Sequence, residues 1–415
     1  MKTRVYYEKR KILKRKSTVI ACILLLLFMI GITLLLVSDE SYYLPDGTEI
    51  TGIKAIRMQE KMTHSLAGDL TPERVKEVQL YCQTVYNTPG NTDDVGNLSN
   101  EAYSQYIQPY NDILMFLLKI YSPAGMNSYD YRVITNTSDG DAERIHDLRH
   151  ERVVDVLNMD YTQGNFTPAE KDAVLQHENK ISEPFTFDYT GGWSALLSRA
   201  FPIVFLLICI AICVIISPVF AIEYQTGTDV IILSSKYGRS STVYAKIIAG
   251  LEITSGIYLI AVLACCVSML CAFSIRGWNC EYQILAITSF WGLKIWQVVA
   301  YGIVINYITI LSVAAFVMLL SAYCKTPFAA VILSTICTIV PIFIPSSVNS
   351  KLFNQILSLL PAQAMNIHSV FSSYTLFKIG KMIIPLPHMI VCTSMLLIVL
   401  MLPVAYRRFC RHQVV

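Results

Sequence analysis

The chain has 415 residues, 54% of them hydrophobic and 11% aromatic, which is richer than the roughly 45 to 50% apolar content of soluble domains and excludes an ordinary soluble protein. The net charge is only +3, yet residues 38–195 hold 25 Asp and Glu against 12 Lys and Arg, leaving 21 basic and 5 acidic residues elsewhere. Such a split indicates an integral membrane protein whose two charge classes sit in different environments.

Residues 1–18 carry eight Lys and Arg and a single acid, Glu8, and residues 19–37 then run without a charge. About 20 apolar residues at 1.5 Å each cross a bilayer, so this stretch predicts a first transmembrane helix with its basic end in the cytoplasm. A cleaved signal peptide has a shorter apolar core and a small-residue cleavage site, so the helix is expected to be retained.

Residues 38–195 are too long for a linker and too rich in apolar residues for disorder, which predicts a folded extracytoplasmic domain. Thr71-Pro72-Glu73 sets a cap before a first-turn proline and acid, opening a helix through Tyr86. Thr167 and Glu170 have capping-box spacing. Ile145, Leu148 and Val156 fall near one face of a helix over 142–159, while Asn87–Asn91 and Asp139-Gly140-Asp141 read as turns. The domain is therefore expected to be mostly helical. Cys82 is its one cysteine, so no internal disulfide framework is expected, and a bridge to Cys280 stays open.

Residues 196–415 predict a five-helix membrane domain. A second span runs from Leu196 to Ile222, with Pro202 and Pro218 near its ends. After a polar stretch, a third span covers Tyr244–Phe273. Arg276–Gln297 forms a short outer loop with three tryptophans, and the fourth and fifth spans are Val298–Tyr323 and Phe328–Ile344. The sixth, His388–Tyr406, ends at Arg407, Arg408 and Arg411, so six spans place both termini in the cytoplasm. Within 346–387, two apolar stretches flanking Pro361 are too short to cross the membrane.

The polar stretch between spans two and three reads Glu223-Tyr224-Gln225-Thr226-Gly227-Thr228, an apolar run, and then Ser235-Lys236-Tyr237-Gly238-Arg239. It resembles the cytoplasmic coupling turn of ABC-2-type ABC transporter permeases, departing from it in carrying Tyr237-Gly238 where a proline often precedes the arginine. The topology resembles those permeases as well, giving an all-α integral membrane protein of six transmembrane helices with a large, mostly helical extracytoplasmic domain between the first and second. The resemblance implies a coupling loop over 223–243 in which Glu223, Gly227, Thr228, Lys236 and Arg239 meet a separate ABC ATPase. It also implies a re-entrant hairpin over 346–387 with Pro361 at its apex or hinge; two helices lying on the membrane surface are the alternative.

The only Gly-Lys pair, Gly380-Lys381, is followed by Met382 and lacks the upstream glycine of a phosphate-cradling loop. The chain is therefore expected to be no enzyme and to bind no cofactor, with ATP and Mg on the partner ATPase. His146 and His150 supply only two ligands on one helix face, so a solvated face is expected and no metal. Glu252 is the one acid inside an apolar span; it is expected to pair with a basic group or to serve the pathway or its gating.

The resulting expectation is the permease subunit of an ABC exporter in the plasma membrane, moving a peptide, drug or lipid beside a second permease copy or a homologous permease. No nucleic-acid partner is expected. A membrane sensor or immunity protein that binds a cationic peptide through its acidic domain is the rival reading.

Overall fold

The computed structural model describes residues 1–123 and 130–412. Among these, five helices are long and apolar enough to cross a membrane: Lys16–Ser38, Gly191–Thr226, Ser241–Phe273, Ile295–Tyr323 and Leu386–Cys410. The predicted fifth span is shorter, covering Pro327–Phe343 with a 3₁₀ turn from Val340 onward. At 1.5 Å per residue it reaches about 26 Å, just under the ~30 Å hydrocarbon core. Thr326 caps it by accepting from the Ala329 amide, with Pro327 in the first turn, so the chain reverses tightly between the fourth long helix and this one.

The second long helix starts at Gly191, ahead of its expected beginning at Leu196, and changes register twice. Ala195–Ala200 is a π segment immediately ahead of Pro202, where a widened turn accommodates a residue that cannot donate and whose ring crowds the preceding carbonyls. Pro218 starts a new segment, Pro218–Thr226.

Residues 38–190 form a mostly helical domain with two short strand pairs, Ser41–Tyr43 with Glu49–Thr51 and Gly68–Asp69 with Thr186–Phe187. Helices Pro72–Asn87, Asn111–Tyr121 and Ile145–Asn158 surround a core containing Val75, Cys82, Ile113, Leu117 and Phe185. The two predicted caps are present: Thr71 accepts from Arg74 N, and Thr167 and Glu170 make a reciprocal box.

Two details differ. Asp139–Glu143 is helical rather than a turn, because Ser138 and Asp141 cap it reciprocally. The next helix buries Ile145, Arg149, Val153 and Leu157, an i, i+4 stripe that leaves Leu148 and Val156 half-buried. Arg149 is tolerated inside because Glu178 pairs with it and the Ile287 carbonyl accepts from it. Cys82 and Cys280 are both buried free thiols.

The 346–387 segment contains helices Lys351–Ser358, Pro361–Ala364 and Ile367–Ser372 and then an antiparallel hairpin, Leu376–Ile379 with Met382–Pro385. The apolar stretch after Pro361 thus passes from a short helix into a strand at Leu376.

Candidate functional site

The polar stretch after the second long helix begins at a proline kink. Pro218 has no amide hydrogen and disrupts the ladder around it. Ser321 of the fourth long helix fills the gap: its Oγ accepts from the amides of Phe220 (2.9 Å) and Ala221 (3.0 Å) and donates to the Ser217 carbonyl (2.5 Å). Tyr224 donates to the Ala322 carbonyl at 3.2 Å, and Phe409 of the last long helix packs against the rings of Phe220 and Tyr224.

Glu223 is 1% exposed and sits in a cluster of charges. Its Oε1 accepts from Lys11 Nζ at 2.5 Å and from Lys246 Nζ at 2.6 Å, and its Oε2 from Thr228 Oγ1 at 2.5 Å. Lys246, also 1% exposed, reaches Glu8 Oε2 at 3.1 Å. Two acids and two lysines thus neutralise one another, which is what allows charged groups to be buried at all.

Glu8 and Lys11 belong to a helix, Lys2–Leu13, that buries Val5 and Ile12 along the third long helix. Residues 1–18, expected only as a basic tail, are therefore part of the site. The available signal was the Val5, Glu8, Ile12 spacing, one helical face carrying the lone acid of a basic segment.

Gly227 adopts φ +65, ψ +10 and separates Pro218–Thr226 from a short helix, Thr228–Ser234. An L side chain is strained there even though nothing crowds the position. Lys236 and Arg239 lie on the exposed surface, Lys236 over the Tyr237 ring and Arg239 Nε donating to Leu233 O at 3.2 Å. At Gly238 an added Cβ would fall 1.5 Å from the Ile232 carbonyl oxygen, so the bend before Arg239 is made by a close approach that only glycine permits. Tyr406 Oη and Cys410 Sγ of the last long helix both donate to the Arg239 carbonyl, and His412 pairs with Asp229 at 3.4 Å.

The stretch 218–239 is thus a junction joining the N-terminal helix and the third, fourth and last long helices. Of the five residues singled out in it, Glu223 and Thr228 meet each other inside, Gly227 makes the turn, and Lys236 and Arg239 face out.

A family model described as "ABC-2 family transporter protein" matches residues 6–414. The chain belongs to the ABC-2 transporter family. Comparison with curated proteins and with solved structures finds no match. As an ABC-2 permease, the chain is a multi-pass membrane subunit that works with an ABC ATPase.

The remaining predicted positions of this ABC-2 permease lie elsewhere. Glu252 bonds to Lys9 of the N-terminal helix at 2.6 Å, and so is a further tie on that helix. Pro361 opens the Pro361–Ala364 turn, which is seated within the helix bundle: Asn306 Nδ2 donates to Met365 O, Gln363 Nε2 donates to Pro341 O, and Cys209 Sγ lies 3.5 Å from Met365 Sδ. The approach to that turn docks on the inter-span domain through Lys351 to Glu170 at 2.8 Å and Thr162 to Val348 O. His146 and His150 pair with different carboxylates, Glu183 and Glu178. Among the described residues no group of three His, Cys, Asp or Glu is placed to hold a metal.

Proposed function

We propose that this ABC-2 permease is the membrane subunit of an ATP-driven exporter of the plasma membrane, with both termini cytoplasmic and 223–239 as the segment on which the ATPase acts. The observation that carries the reading is the junction itself. A compact turn presents exposed basic side chains at its tip, through Lys236 and Arg239, while its base is bonded to the N-terminal helix and the third and fourth long helices and packed against the last. A push on the tip then displaces those helices together, because the buried charges at Glu223 and Lys246 cannot separate cheaply.

The basic flank of the turn and the basic ends at 1–18 and 407–411 support a common cytoplasmic side. The shorter helix Pro327–Phe343 acts as a sixth crossing, completing an even count. The first and last long helices are largely exposed along their apolar lengths, which suits lipid and a second permease.

The test is recovery of the ATPase with the purified permease. Arg239→Glu should weaken that recovery, and a compensating charge reversal in the ATPase groove should partly restore it. Undiminished recovery and transport in Arg239→Glu would remove Arg239 from the contact.

A further inference from the structure

A second feature lies at the opposite end of the fourth and last long helices from the junction. There a cavity of about 590 Å³ opens between them and the inter-span domain, within the size range of small-molecule sites. Its lower wall is apolar, with Val304, Ile305, Ile308 and Val391, and Val304 is exposed on the outer side of its helix. Its upper rim is basic: His177 and Lys180 come from the inter-span domain and His388 from the start of the last helix. Among its lining residues none is acidic.

The wall between rim and floor is Trp291, whose ring lies 5.1 Å from His177 and 5.8 Å from His388. Trp291 is 7% exposed, and its Nε1 has no hydrogen-bond partner among the described residues. A buried indole N–H without an acceptor is costly, since such groups are normally satisfied. Burial, with Lys180 and His388 adding to it, holds His177 below its ordinary value, so at neutral pH it offers a donor while Lys180 supplies the charge.

A basic rim above an apolar floor continuous with the membrane-facing side of two helices matches one chemistry: an anionic head joined to a hydrocarbon tail. We propose that this cavity binds one anionic phospholipid, with its phosphate at Lys180, His177 and His388 and an acyl chain along the fourth and last long helices. A soluble anion leaves the apolar floor empty, and a peptide gains nothing from the continuity with the bilayer. The proposal needs only that these two helices cross the membrane, so it stands apart from the direction of transport and from coupling at Arg239.

The test is lipid retention by the full-length chain, read by native mass spectrometry after mild extraction from nanodiscs holding equal phosphatidylglycerol and phosphatidylcholine. One phosphatidylglycerol should be retained preferentially. Lys180→Ala should cut that preference about fivefold, the effect of one basic group near an anionic surface, while Lys180→Arg should keep it. Brominated phosphatidylglycerol should quench fluorescence more than the brominated choline lipid does, and Trp291→Phe should abolish the difference. Equal retention of the two lipids, a preference untouched by Lys180→Ala, or displacement of the lipid by glycerol phosphate or by a soluble peptide would each overturn the assignment.

Discussion

Glu223 and Lys246 form a buried ion pair, 2.6 Å between Oε1 and Nζ, that joins the end of the second long helix to the start of the third. Neither residue has water to fall back on, so their contribution shows only when one is removed without the other. Lys246→Met leaves Glu223 with Lys11 and Thr228 and is expected to cost about 3 kcal/mol, the low end for stripping one partner from a buried pair. Lys246→Met combined with Glu223→Gln should cost less than the two single changes added together. Thermal unfolding in detergent measures this, and strict additivity would mean that the pair does not act as a unit.

Gly227 separates two explanations of a transport defect. Its φ of +65 makes Gly227→Val strained by about 1–2 kcal/mol, whereas asparagine visits this region more readily. Gly227→Asn is expected to transport near the parental rate and Gly227→Val to transport poorly despite normal insertion. Equal transport by both would show that the turn's backbone is not used.

Ser321 satisfies two amides freed at the Pro218 kink. Ser321→Ala leaves Phe220 and Ala221 without that acceptor and should destabilise by about 1–3 kcal/mol. Hydrogen exchange should accelerate at those two amides before it changes in the inter-span domain; unchanged protection there would mean another acceptor takes over.

Asp112 gives a pH-dependent expectation in the inter-span domain. Burial raises its pKa above the usual aspartate value, and hydrogen bonds from Thr63 and Gln59 offset this only in part. A raised folded-state pKa means stability that is full below the unfolded value of about 3.9 and is lost as pH rises through the folded one. Asp112→Asn removes this titration, so the variant should gain stability over the parent as pH rises from about 4 to about 8, on the order of tenths to a few kcal/mol. Melting curves across that range check the sign, and a gain confined to acid would contradict it.

What the sequence made legible was local. The Thr71 and Thr167 caps and the Gly227 turn each depend on residues within a turn or so of themselves, and all three are present. The hairpin at Gly380 and Lys381 is local too: Gly380 sits at φ +62 between two short strands, a two-residue turn signal whose Gly-Lys pair invites comparison with a nucleotide motif instead. The pairings were not legible, because nothing near Lys11 or Arg149 names a partner. Glu223 lies 212 positions from Lys11, and Glu178 lies 29 from Arg149. A charge in an apolar segment announces that it must be compensated, but not by which residue.

The 212-residue separation between Lys11 and Glu223 is also an interval of time. At about 5–20 residues per second of synthesis, Lys11 leaves the ribosome roughly 10–40 s ahead of the carboxylate that will hold it. During that wait the helix carrying Lys11 has Val5 and Ile12 uncovered and nothing to lean on except the surface of the membrane. The helix Lys2–Leu13 is therefore the earliest part of the junction to be made and the one that waits longest for its partner, and a chain stalled before its third long helix would display it unprotected.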